Sequence, residues 1–140
     1  MPFENPNFTA GGDIYPSRFV KLSASYDNTV TQAGTNEQPI GISSDATRDA
    51  PLDGASGLAA ADTNALQVNL PGSVCLLEVG SGGLTRGDYV KSDTNGKGVT
   101  AATTGPTAQF VGALALESAS AGELARVLVL FIPKFYPALS

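Results

Sequence analysis

The stretch Gly82-Gly83-Leu84-Thr85-Arg86-Gly87-Asp88-Tyr89-Val90-Lys91 has a partner about 70 residues earlier, Gly11-Gly12-Asp13-Ile14-Tyr15-Pro16-Ser17-Arg18-Phe19-Val20-Lys21. Each pairs a double glycine with an aromatic-Val-Lys triplet. A polar turn follows in each copy, Ser25-Tyr26-Asp27-Asn28 and Asp93-Thr94-Asn95-Gly96, and each turn returns to a Val-Thr pair, Val30-Thr31 and Val99-Thr100. Next comes a glycine inside an apolar run, Ile40-Gly41-Ile42 and Val111-Gly112-Ala113, and a final run, Leu66 to Leu70 and Leu124 to Leu130. Repeated landmarks in one order are the signature of a duplicated unit. Val20 and Val90 point to one face of a strand while their neighbours point to the other. Asn and Gly after the triplet suit the positive φ of a hairpin turn. A glycine within a strand marks a bulge or a close approach of other atoms. Half a barrel cannot close its own edges, so two facing copies make a sensible domain.

The rest of the chain agrees with a β protein. Sixteen Gly and nine Pro interrupt it at short intervals and leave little room for a long helix. Strands are expected at Phe19–Leu22, Pro39–Ile42, Leu66–Leu70, Val74–Val79, Tyr89–Lys91, Phe110–Leu114 and Leu124–Leu130. Leu66, Val68 and Leu70 alternate with Gln67 and Asn69, the period of a strand with one wet face. One short helical turn is expected over Leu58–Ala65. The fold class is therefore mainly β: a small antiparallel barrel or sandwich built from two similar halves, with extended N- and C-terminal arms. The expected divisions are an arm over residues 1–10, one β domain over 11–132, and a tail over 133–140. Within the domain the half-repeats cover about 11–79 and 82–132.

The copies differ in one interval. Gly41 precedes Leu66 by 25 positions, whereas Gly112 precedes Leu124 by 12. The extra residues, within 43–65, include the small, acidic, turn-rich run Ser43 to Gly57, which reads as an exposed loop. The ends are also unusual. Phe3 and Phe8 lie among Pro2 and Pro6, and Phe135 and Tyr136 between Pro133 and Pro137. Proline favours extended chain that does not donate ladder bonds. Four aromatics in two arms imply docking, so Phe3, Phe8, Phe135 and Tyr136 are the candidate partner contacts. The run Leu124 to Ile132 is apolar on both faces apart from Arg126, so its second face is expected to be covered by a loop, an arm or a partner.

Composition narrows the chemistry. The 140 residues carry no His and one cysteine, Cys75, so imidazole catalysis, a disulfide within the chain and a thiolate metal site are excluded. The net charge of −5 and the scattered basic residues argue against nucleic acid. No window approaches the roughly 18 apolar residues of a membrane span. Asp45, Asp49 and Asp53 recur every fourth position, but calcium loops need alternate ligands and a terminal bidentate Glu. Asp88 and Asp93 read as turn formers. Gly80-Ser81-Gly82-Gly83 lacks the Gly-Lys-Ser/Thr of a phosphate loop. Cys75 in its apolar run behaves as a small hydrophobe. No catalytic, cofactor or metal site is expected, and the chain reads as a non-enzyme without a cofactor.

One resemblance rests on Gly82, Gly83, Val90, Lys91, Val111, Gly112, Ala113, Ala121, Gly122, Glu123, Leu124, Val127 and Val129. That pattern resembles the capsid decoration, or cement, proteins of tailed bacteriophages, over about residues 11–132. The resemblance implies a mostly β virion protein on the outer surface of the capsid. It implies that the protein bridges major capsid protein subunits and forms a homotrimer. The arms and the long loop depart from the simplest members. A carbohydrate- or receptor-binding β module of a phage fibre or spike shares this composition and is the alternative.

Overall fold

A computed structural model describes residues 7–35, 37–44, 58–101 and 109–135, with the backbone alone at Gln109 and over 133–135. Among these residues there are ten strands and no helix. The first five are β1 (Asn7–Ala10), β2 (Phe19–Leu22), β3 (Thr29–Gln32), β4 (Gly41–Ser43) and β5 (Ala65–Asn69). They form a closed barrel in the order β1-β3-β2-β4-β5. The other five are β6 (Val74–Glu78), β7 (Tyr89–Ser92), β8 (Gly98–Thr100), β9 (Gln109–Ala115) and β10 (Leu124–Phe135), in the order β6-β10-β9-β7-β8. The fold is the expected mainly β one.

Read around the ring, the two orders are the same. In the first half β1 closes on β3 by a parallel ladder, Thr9 opposite Thr29 and Ala10 opposite Val30. In the second half the equivalent closure is a single parallel bridge, Val79 to Gly98. All other strand pairs are antiparallel. The duplication extends to single hydrogen bonds. Gly11 N–H donates to Val30 O as Gly80 N–H does to Gly98 O, and Thr63 N–H donates to Ala10 O as Gly122 N–H does to Val79 O. The bridge Ile14–Ala60 repeats as Leu84–Ala119. Three positive-φ turn positions repeat as well: Ser17 and Gly87, Asn28 and Gly96, Thr63 and Gly122.

Burial follows the alternation. Val20, Val30, Leu66 and Val68 fill the first barrel with Ala10, Ile14 and Ala60. Val90, Val127, Ala113 and Leu77 belong to a second cluster, which Phe19, Ala33 and Ile42 of the first half also join. The glycines flagged in the strands have distinct reasons. A side chain at Gly41 would strike the backbone carbonyl of Asn69 and the Val68 side chain. Gly112 sits where the pairing of β7 with β9 slips between Val90–Ala113 and Lys91–Val111, which makes it the bulged residue. By register Gly41 corresponds to Ala113, since both lie opposite the triplet valine.

Several boundaries differ from the sequence reading. β6 pairs with β10, so the second half begins at Val74 rather than at Gly82. Of the arm expected over 1–10, Asn7–Ala10 is β1, clamped between β3 and β5; the others lie outside the described residues. Of the tail expected over 133–140, residues 133–135 continue β10 and the rest lie outside the description. The loop expected over 43–65 is anchored in the barrel at two points, Ser43 and Ala60. Ser43 is buried, its hydroxyl donating to Tyr15 O and accepting from Arg18 N–H, and Ala60 is buried in its bridge to Ile14. Its residues 45–57, including Asp45, Asp49 and Asp53, lie outside the described residues. No helical turn forms over Leu58–Ala65: Asp62 and Thr63 make a turn and Ala65 opens β5. Pairing to Ile14 overrides the helical preference of the alanine run.

Candidate partner-binding surfaces

The aromatic of each triplet points out of its own barrel, and the two aromatics meet different fates. Phe19 is fully buried, whereas Tyr89 is 40% exposed. Phe19 packs against the second half. A side chain at Gly112 would approach its ring to 2.7 Å and the Pro39 ring to 2.5 Å, so glycine is what admits the contact. The backbone around Phe19 also enters the seam between β6 and β8. Glu78 N–H donates to Ser17 O at 2.9 Å, and Phe19 N–H donates to Gly96 O at 2.8 Å. This wedge explains why the second barrel closes by one bridge. In the first half the corresponding bond is made directly, from Thr9 N–H to Asn28 O.

Charge reinforces the seam. Arg18 donates to Asn95 O at 2.9 Å and to Glu78 Oε1 at 3.3 Å, and Lys97 Nζ lies 3.1 Å from Glu78 Oε2. The Arg18 guanidinium also lies over the Tyr15 ring. Glu78 thus joins a cation from each half, and the partly buried setting makes these bonds stronger than exposed pairs. Elsewhere Lys21 pairs with Glu37. The hydrogen bond from Lys21 holds the Glu37 carboxyl below its ordinary value, assisted by the Gly34 N–H and opposed by partial burial.

On the second sheet the outward residues form a row across four strands: Tyr89 opposite Leu114, Leu114 opposite Leu128, and Leu128 opposite Val74. Leu114 and Leu128 are half-buried, and Val74 is 55% exposed. The equivalent row in the first half, Phe19 opposite Ile42 and Ile42 opposite Asn69, has Phe19 and Ile42 fully buried.

A third feature is an open groove of about 790 Å³ beside the β2–β3 hairpin. Tyr26, 74% exposed, lines it together with Asp27, Asp62, Thr63 and further Ser and Thr side chains. No cation is among its described lining residues.

Of the candidate contacts named from sequence, Phe8 alone has a described side chain. Phe8 is half-buried in β1 and packs against the core of its own barrel. The Phe135 backbone ends β10; its side chain, with Phe3 and Tyr136, lies outside the described residues. Cys75 is half-buried and packs against the second core cluster. Among the described residues no three His, Cys, Asp or Glu side chains group as a metal site. The open row escaped the sequence reading except through β10, whose two apolar faces were the available signal. The groove left no signal, because hydroxyl-rich turns are common in any β chain.

The chain matches no protein-family model and none of the curated proteins searched. Among solved structures it is similar to the crystal structure of the N base of the head fiber protein gp8.5 of bacteriophage phi29. The TM-score is 0.61 at 20% identity, over 88% of this chain and 90% of that one. At this identity the likeness is one of fold.

Proposed function

We propose that this chain is a structural protein of a bacteriophage virion. In this reading it binds the outer surface of the capsid and stabilises it by bridging major capsid protein subunits. It acts as a homotrimer, without catalysis or cofactor. The observation that carries the reading is the similarity of nearly the whole chain, both halves included, to the base of a phage head fiber. Fold alone does not assign a role. The second support is the decoration-protein pattern from Gly82 to Val129, which falls on strands and turns of one half. A shell carries many copies, so modest single contacts suffice through avidity.

Purified protein mixed with matured and immature capsids lacking it should cosediment with the matured shells and raise their disruption temperature. Absence of binding to both would overturn the reading. The contribution of Phe3 is tested by removing residues 1–6. A deletion reaching residue 10 would also remove β1 and open the barrel.

The groove favours a second reading, a carbohydrate-binding fibre module. An exposed Tyr26 ring beside several hydroxyls and two carboxylates, without a cation among the described lining residues, suits a neutral sugar. Binding of the isolated protein on a glycan array, lost in Tyr26→Ala, would favour this module over the capsid clamp.

A further inference from the structure

The turn that carries the seam between the halves holds a reactive pair. We propose that Asn95-Gly96 is a self-modifying site, at which water converts Asn95 to aspartate and isoaspartate, and that the isoaspartate form loosens the join between the two halves.

Of the asparagines in the chain, Asn95 alone precedes a glycine. That neighbour matters because the step is an attack by the following backbone nitrogen on the side-chain amide. Glycine has no Cβ to hinder the approach or to restrict the backbone. Gly96 N, having given its proton to hydroxide, bonds to Asn95 Cγ. The Cγ–Nδ2 bond breaks, and the nitrogen takes a proton from water and leaves as ammonia. The product is a five-membered imide, to which water adds. Cleavage at Cγ restores the main chain with aspartate. Cleavage at the main-chain carbonyl carbon gives isoaspartate, whose main chain runs through Cβ and Cγ.

The fold puts this pair where it can react. Asn95 is exposed on the turn. The Gly96 N–H is loosely held, donating to Asp93 O at 3.3 Å, beyond the ordinary range. Glycine is required at this position. Its φ is +78°, and a Cβ there would come within 3.0 Å of the Phe19 carbonyl oxygen. The Phe19 wedge thus dictates the glycine, and the glycine leaves Asn95 open to attack. At the equivalent turn of the first half the pair is Asp27-Asn28, which already carries the carboxylate and has no glycine.

The fold also puts the pair where its product matters. Asn95 O accepts from Arg18, and Gly96 O accepts from Phe19 N–H. Isoaspartate lengthens the main chain by one carbon between these two contacts. Gly96 is buried against Gln32 and Arg18, so it has no room to shift without moving its bond to Phe19. The charged groups around the turn are Arg18, Lys97, Glu78 and Asp93. The new carboxylate therefore meets both signs, and its charge alone does not open the seam.

The test incubates the full chain in warm, mildly alkaline buffer and follows it by peptide mass mapping and by labelling with an isoaspartyl methyltransferase. Asn95 should convert on the order of tenfold or more faster than Asn28 and Asn64, which precede Thr29 and Ala65. Asn95→Gln should abolish the label at this position and keep its urea midpoint through the same incubation. The aged parent should unfold at a lower urea midpoint. Freshly purified Asn95→Asp should match the unaged parent, which separates the longer main chain from the added charge. Asn95 surviving as long as Asn28 and Asn64 overturns the site. Conversion with an unchanged urea midpoint overturns the loosened seam, and so does an Asn95→Asp variant as weak as the aged parent.

Discussion

The two halves of the chain share strand order, inward side chains and three left-handed turn positions, yet they close differently. The first barrel seals itself through a parallel ladder between β1 and β3. The second leaves the matching seam to a single bridge and admits Ser17 to Phe19 of its neighbour. The difference teaches that a duplicated sequence repeats local structure and the barrel interior, because those depend on residues within one copy. The outer faces depend on what stands next to them. Phe19 is therefore a core residue and Tyr89, its register equivalent, is surface.

The sharpest way to break the equivalence is to truncate both aromatics. Phe19→Ala should cost about 3–5 kcal/mol, since it empties a site shared by both halves. Tyr89→Ala should cost well below that, about 1 kcal/mol or less in the isolated chain. Urea unfolding of the two variants measures the contrast. Equal losses would mean that the halves are not distinguished by the packing of Phe19.

The glycines test the same asymmetry at the next level. Gly41→Ala drives a methyl into the Asn69 carbonyl, which is backbone and cannot swing aside. Gly112→Ala meets the rings of Phe19 and Pro39, which have some freedom to shift. Both should destabilise by about 1–3 kcal/mol, Gly41→Ala the more severely. Thermal unfolding followed by circular dichroism ranks them, and the reverse order would contradict the contacts described.

The smallest effect sharpens the comparison from the other side. At the three shared positive-φ positions the second half carries Gly87, Gly96 and Gly122, where the first carries Ser17, Asn28 and Thr63. A β-branched residue pays most there. Thr63→Gly should stabilise the chain by about 0.5–1 kcal/mol, the relieved strain outweighing the entropy of glycine. A lower urea midpoint for this variant would show that Thr63 makes contacts worth more than its strain.

Much of this organisation is legible in the sequence because the period-2 signal and the turn chemistry are local. The runs at Phe19–Leu22 and Val74–Val79 became strands with little change of bounds. Three strands were less visible. Asn7–Ala10 and Gly98–Thr100 are short and carry few apolar residues, and Thr29–Gln32 showed only as a Val-Thr landmark. Their membership comes from ladder bonds to distant partners. The alanine run at Leu58–Ala65 misled for the same reason, since a partner at Ile14 outweighs local preference. Phe8 read as a loose anchor because two nearby prolines disguised a strand.

By itself the amino-acid sequence determined that this is a β protein of two similar halves, because alternation, turn residues and repeated spacing are properties of neighbouring positions. Only the tertiary structure decided which half closes on itself and which is wedged open, and which aromatic is buried. It likewise decided that a row from Tyr89 to Val74 faces solvent. Those outcomes depend on which surfaces meet across long stretches of chain, and equivalent residues carry no mark of their neighbours.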